Sequence, residues 1–154
     1  MISKKKKIVR WLLLVSWMVF IFLMSQQPGD KSSEQSEFVV KIFTLLGIDL
    51  DSYFGELATF VVRKGAHFTE YFILFVFGYR VLLLYLDKRR ARIYTILIVF
   101  LYACSDEFHQ YFIPGRGPAF RDVMIDTSGG IVGCVFSIIY DRIMSTCNKK
   151  DLYQ

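Results

Sequence analysis

The sequence predicts an all-α protein, an integral membrane four-helix bundle with short interfacial helices between spans one and two. Three observations predict it. Hydrophobic residues make up 54% of the 154 residues and aromatics 17%, with a mean hydropathy of +0.39. That is more apolar surface than the polar residues of an ordinary soluble domain can cover. The apolar residues fall into four long blocks, each near the ~20 residues a helix needs to cross a ~30 Å hydrocarbon core. Clusters of Lys and Arg flank the blocks instead of lining one face. The same values exclude a disordered chain, a collagen-like chain and a disulfide scaffold. The length fits one domain over residues 1–154.

The first block covers residues 8–24. It is short for a span, and Arg10 extends it by snorkelling. Ser25-Gln26-Gln27-Pro28 follows it in place of a small-x-small cleavage site, so the segment reads as a retained span, not a signal peptide. Gln27-Pro28-Gly29-Asp30-Lys31-Ser32-Ser33 reads as loop. From about 37 to 62 the pattern turns amphipathic. Phe38, Val39, Ile42, Phe43, Leu45 and Leu46 recur at helical spacing and stop at Gly47; Leu57, Phe60 and Val61 repeat the pattern. Short helices at the outer interface fit this stretch, and so does a cap packed over the bundle. The remaining spans cover about 66–86, 93–112 and 123–140. Gly129-x-x-x-Gly133, continuing to Ser137, allows close helix contact within the bundle.

Charge sets the orientation. With the amino terminus inside, twelve basic residues lie on the inner side: Lys4 to Lys7, Arg10, Lys88, Arg89, Arg90, Arg92, Arg142, Lys149 and Lys150. Six lie outside: Lys31, Lys41, Arg63, Lys64, Arg116 and Arg121. The asymmetry predicts a multi-pass plasma-membrane protein with both termini cytoplasmic. Trp11, Tyr85 and Tyr140 fall near the inner interface. Basic runs that flank apolar spans argue against a nucleic-acid partner and for membrane lipids. Cys104, Cys134 and Cys147 make an odd count without a Cys-x-x-Cys pair, which predicts no disulfide framework.

The functional signal is polar residues at membrane depth. His67 and Glu70 share a helix face at the start of span two. In span three the apolar run from Ile93 to Cys104 rises only ~18 Å, so Ser105, Asp106, Glu107, His109 and Gln110 begin at outer-leaflet depth. Asp106 pairs in register with His109 and with Gln110. Asp126 sits one turn beyond Asp122 in span four, and Pro114-Gly115-Arg116-Gly117-Pro118 forms a rigid turn between them and span three. Lys64, His67, Glu70, Asp106, Glu107, His109, Gln110, Arg116, Asp122 and Asp126 are thus the candidate ligand-binding set. Ionised groups at such depth face a cavity or one another. One reading is a salt-bridged plug, with Arg63, Lys64, Arg116 and Arg121 neutralising the acids. A second is a divalent metal held by His67, Glu70, Asp106 and His109, since imidazole and carboxylate on facing helices ligate zinc or a dimetal pair. A third is acid–base catalysis by the same four residues, with Arg116 and Arg121 holding phosphate or carboxylate. Ser105 lies beside the cluster without a nucleophile-elbow motif.

Lys64-Gly65-Ala66-His67-Phe68-Thr69-Glu70-Tyr71, Ser105-Asp106-Glu107-Phe108-His109-Gln110-Tyr111-Phe112-Ile113-Pro114-Gly115-Arg116 and the run from Asp122 through Asp126 to Gly129 resemble the VanZ-like family, as does the Met24-Ser25-Gln26-Gln27-Pro28-Gly29 exit from span one. The likeness covers nearly the whole chain. Members are small bacterial membrane proteins of about four spans, named for an accessory protein of glycopeptide-resistance clusters that raises tolerance to teicoplanin. The resemblance implies lowered sensitivity to such lipoglycopeptides, with an outer-leaflet pocket for a lipid-linked, cell-wall-precursor or antibiotic head group. It implies no reaction. The alternatives are a membrane-embedded, metal-dependent hydrolase or transferase acting on a lipid or polyprenyl phosphate, and a partner-binding protein that recruits through residues 38–62. Two positions depart from the family pattern. Gly117-Pro118-Ala119 stands where relatives often carry small hydroxyl residues, and Asp126 where they often carry Asn.

Overall fold

The computed structural model describes residues 3–117 and 119–150, with side chains as far as Thr146. Pro118, Cys147, Lys149 and Lys150, named above for turn, cysteine and charge, lie outside that description or lack described side chains. The described residues are helical throughout, with no strand: α1 (Lys4–Ser25), α2 (Gly29–Leu45), α3 (Leu50–Phe54) with a 3-10 turn (Gly55–Leu57), α4 (Ala58–Leu82), α5 (Lys88–Gln110) and α6 (Phe120–Lys150). Two helices, α1 and the Phe120–Thr146 part of α6, are long and apolar enough to cross a membrane. In α4 and α5 the apolar runs are broken by Glu70, Arg80, Asp106 and Glu107.

Two of the long helices, α1 and α5, start at a side-chain cap. The Ser3 hydroxyl accepts the Lys6 N–H at the start of α1. The Asp87 carboxylate accepts the Arg89 and Arg90 N–H groups at 3.1 and 3.0 Å, opening α5 five residues before the expected span. An N-cap acceptor of this kind satisfies amides that the helix leaves unpaired.

Two expectations fail. Residues 29–33 are the first turn of α2, not loop. Pro28 sits at its N-cap with φ −54°, and Asp30 lies in its first turn. Proline, aspartate and serine start helices as readily as they form turns. Ser33 and Ser36 donate back to the Gly29 and Ser32 carbonyls, which accommodates hydroxyls inside the helix. Nor is there a separate short helix at Leu57–Val61. Residues from Ala58 belong to α4, which continues unbroken past Gly65 to Leu82, with Ala58 buried in its first turn. Gly47, at φ +86°, does end the amphipathic run of α2, in the left-handed region that glycine adopts without strain.

Helix α4 lies at the centre and packs against α1, α2, α5 and α6. Tyr71, Leu74 and Phe75 on α4 meet Val99 and Ala103 on α5, Leu14 and Ile21 on α1 and Val123 on α6 in one core. The closest helix pair is α4 with α6. A Cβ at Gly129 would collide with the Phe68 carbonyl, and one at Gly133 would lie 2.9 Å from the Phe75 ring. The small-residue spacing on α6 therefore serves contact within the chain. Outside this core the helices expose a broad apolar surface, including Leu12, Val15 and Leu23 on α1 and Ile131, Phe136 and Ile139 on α6.

The four long helices alternate in direction. At one end, Trp11 Nε1–H donates to Tyr85 Oη at 3.2 Å and Arg10 donates to the Arg80 carbonyl at 2.8 Å. Asp141 of α6 joins them there, accepting from Lys88 at 2.7 Å, from Tyr79 Oη at 3.2 Å and from Arg92. At the other end, Gln110 reaches Ser25 and Lys64 reaches Asp122. The end of α1, the start of α4, the end of α5 and the start of α6 therefore surround one volume.

Candidate functional site

That volume is polar. On α5, four-residue spacing turns Asp106 and Gln110 to the interior, where both are buried. Gln110 Nε2 donates to Asp106 Oδ2 and to Ser25 Oγ, each at 3.2 Å, so α1 and α5 are joined by neutral and charged partners together. On α4, His67 Nδ1 lies 3.7 Å from Glu70 Oε2. From α6, Asp126 enters with only 2% of its surface exposed. Ligand atoms of His67, Asp106 and Asp126 all lie within 4.8 Å of one another. This is the acidic floor of the site.

Its mouth is basic. Arg63, Lys64 and Arg116 line a cavity of about 120 Å³ with His67, Gln110 and Asp122. A second cavity of about 170 Å³ opens between α2 and α4, sharing Arg63, His67 and Arg116 and adding Glu70 and Ser36. Lys64 Nζ pairs with Asp122 Oδ2 at 2.5 Å. Arg63 Nε is buried and has no hydrogen-bond partner among the described residues. Burial pulls the Arg116 guanidinium below its ordinary value while the nearby Asp106 carboxylate pulls it back up; a guanidinium remains charged in either case.

Backbone contacts hold the turn that carries Arg116. Gly29 N–H donates to the Pro114 carbonyl at 3.2 Å, and a Cβ at Gly29 would collide with the Gly115 carbonyl. Gly115 itself sits at φ +73°. From α5, Glu107 accepts the Ala119 N–H at 2.9 Å. The turn is pinned on one side by the start of α2 and on the other by α5.

The family model described as VanZ/LLP1 matches residues 10–141, from the first helix to the Asp141 cluster. The chain belongs to the VanZ/LLP1 family. No curated protein and no solved structure matches it. The match contains every candidate residue named from the sequence.

Within this VanZ/LLP1 chain the candidates divide. His67, Glu70, Asp106, Gln110, Arg116, Asp122, Asp126 and Lys64 gather as described. His109 does not join His67 and the aspartates. Its ring packs on Phe22 of α1, centroids 4.7 Å apart, and its Nε2 is buried without a hydrogen-bond partner among the described residues. Three residues along a helix leave His109 about 60° away from the Asp106 direction, and that angle points it at α1. The metal-ligand set expected as His67, Glu70, Asp106 and His109 is therefore replaced, among the described residues, by His67, Asp106 and Asp126. Glu107 serves the turn. Ser105 is exposed and bonds to the Tyr102 carbonyl, away from the cluster. Arg121 stacks over the Phe60 ring at 4.8 Å. Of the salt bridges in the expected plug, the described residues form one, Lys64 with Asp122.

Three contributors stood in the family-like motifs but were not among the candidate site residues. Tyr71 lies fully buried one turn beyond His67, and its hydroxyl has no hydrogen-bond partner among the described residues; it reads as one more aromatic in an apolar helix. Ser25 and Gly29 matter only through the partners that the fold brings to them.

Proposed function

We propose that this chain is a four-span plasma-membrane protein with both termini in the cytoplasm, one domain, and a pocket at its outer end that binds an anionic head group. The head group is the phosphate or carboxylate of a lipid-linked cell-wall precursor or of a teicoplanin-type lipoglycopeptide, and its capture lowers sensitivity to the antibiotic. One observation carries the reading: three cationic side chains converge on a cavity where, among the described residues, Asp122 is the one acidic lining residue and a buried guanidinium nitrogen of Arg63 has no partner. A buried cationic donor left unpaired is costly, and an anion removes that cost. Family membership, the apolar outer surface and the basic cluster at the opposite end support the membrane placement.

The experiment is expression in a sensitive bacterium, with tolerance to teicoplanin as the readout. The parent raises tolerance. His67→Ala, Glu70→Ala, Asp106→Ala and Arg116→Ala abolish the gain while accumulating normally in the membrane. His109→Ala, which empties a site beside Phe22, has a smaller effect. Full tolerance in all the variants overturns the pocket as the working site. Phosphate release from a polyprenyl phosphate by purified protein would instead mark the chain as a hydrolase.

A further inference from the structure

We propose that His67, Asp106 and Asp126 bind a divalent transition-metal ion of the zinc type at the floor of the pocket. The inference goes beyond head-group capture and does not require it. Three helices each deliver one ligand to a common point. The three ligand atoms lie within 4.8 Å of one another, so modest side-chain rotations bring them to about 2.1 Å from a single ion. One imidazole and two carboxylates form a mixed nitrogen–oxygen donor set suited to zinc or manganese.

Burial makes the case for a cation. Asp106 and Asp126 are 4% and 2% exposed, and neither forms an ion pair with a described side chain. Lys64, the nearest flexible ammonium, is engaged by Asp122 at the mouth. Two buried carboxylates side by side repel each other unless a proton or a cation lies between them. A second observation points the same way. Tyr71, one turn beyond His67 on α4, is fully buried, and its hydroxyl has no hydrogen-bond partner among the described residues. A water on the ion gives that hydroxyl an acceptor. Glu70 stands close by: its carboxylate lies 3.7 Å from His67 Nδ1, beyond hydrogen-bond distance, and a small side-chain rotation lets it orient that imidazole once it ligates. With three protein ligands the fourth position stays open.

The test uses the full chain, purified in detergent, stripped with a chelator and titrated separately with Zn²⁺ and Mn²⁺. The parent is expected to retain about one ion per chain. Asp126→Asn, Asp106→Asn and His67→Gln each weaken binding more than about 100-fold, and Glu70→Gln weakens it less, within the range of about 10- to 100-fold known for outer-sphere partners. Helical content and elution volume are measured on every variant, and the isosteric asparagines limit any effect on folding. Two results overturn the proposal: a parent that retains neither ion, or a His67→Gln/Asp106→Asn/Asp126→Asn triple variant that retains as much as the parent. Metal content is the readout, so a failure of head-group binding leaves this result intact.

Discussion

Lys64 Nζ and Asp122 Oδ2 meet at 2.5 Å, joining the start of α4 to the start of α6 across the mouth of the polar volume. Both side chains are largely shielded. A double-mutant cycle of Lys64→Met and Asp122→Asn, read by thermal unfolding in detergent, is expected to give a coupling of about 0.5–3 kcal/mol. Additive single effects show that the pair contributes nothing beyond its parts.

Gly129→Ala places a methyl against the backbone carbonyl of Phe68, which cannot rotate away as a side chain would. Helices α4 and α6 must separate, at a cost of about 1–3 kcal/mol. The unfolding midpoint of the variant falls accordingly. Gly65→Ala, where a Cβ meets open space, leaves the midpoint within error or raises it.

Glu107 holds the Ala119 amide, and through it the turn that carries Arg116. Glu107→Ala frees that amide from a charge-assisted bond of ~1.5 kcal/mol, about tenfold in exchange rate. Hydrogen–deuterium exchange at residue 119 should accelerate by that factor while the amides of Val99 and Ala103 in α5 hold their protection. Unchanged exchange at Ala119 removes Glu107 as the clamp.

The cap of α5 is sensitive to pH. The Arg90 N–H, followed by the Arg90 charge and the Arg89 N–H, holds the Asp87 carboxyl below its ordinary value of 3.8. The folded state therefore favours the ionised form. Its contribution is complete above the ordinary carboxylate range and is lost as pH falls through the lowered folded value. Asp87→Asn cannot titrate. The gap between its midpoint and that of the parent should be constant above about pH 5 and change only under stronger acid. A gap that changes near neutral pH assigns the effect to another group.

The helices and the site were legible to different degrees. Apolar periodicity located every long helix, because a side chain that faces lipid or core leaves its mark at fixed spacing. Boundaries were less legible. Pro28, Asp30 and Ser32 start α2 but carry the same turn chemistry as a loop, and only the packing of α2 on α4 decides between the two. In the site, spacing placed Asp106 with Gln110 and Asp126 beyond Asp122. It paired His67 and His109 with their acidic neighbours equally well. The rotation of α5 about its axis turned His109 onto Phe22 and left His67 with the two aspartates. That rotation is set by residues on other helices, so no pattern within α5 records it. Tyr71 was hidden for a related reason: an aromatic carries no mark of whether its hydroxyl ends in the core or in a polar chamber.

The contact of Gly29 with Gly115 has a wider consequence. Main-chain atoms at the start of α2 and in the turn between α5 and α6 meet there, so that side of the aperture does not depend on which side chains surround it. Exchange of rim residues would then retune charge and affinity while leaving the size limit on entry untouched. Admitting a bulkier guest would require a longer or shorter link, a change of chain length instead of a point substitution.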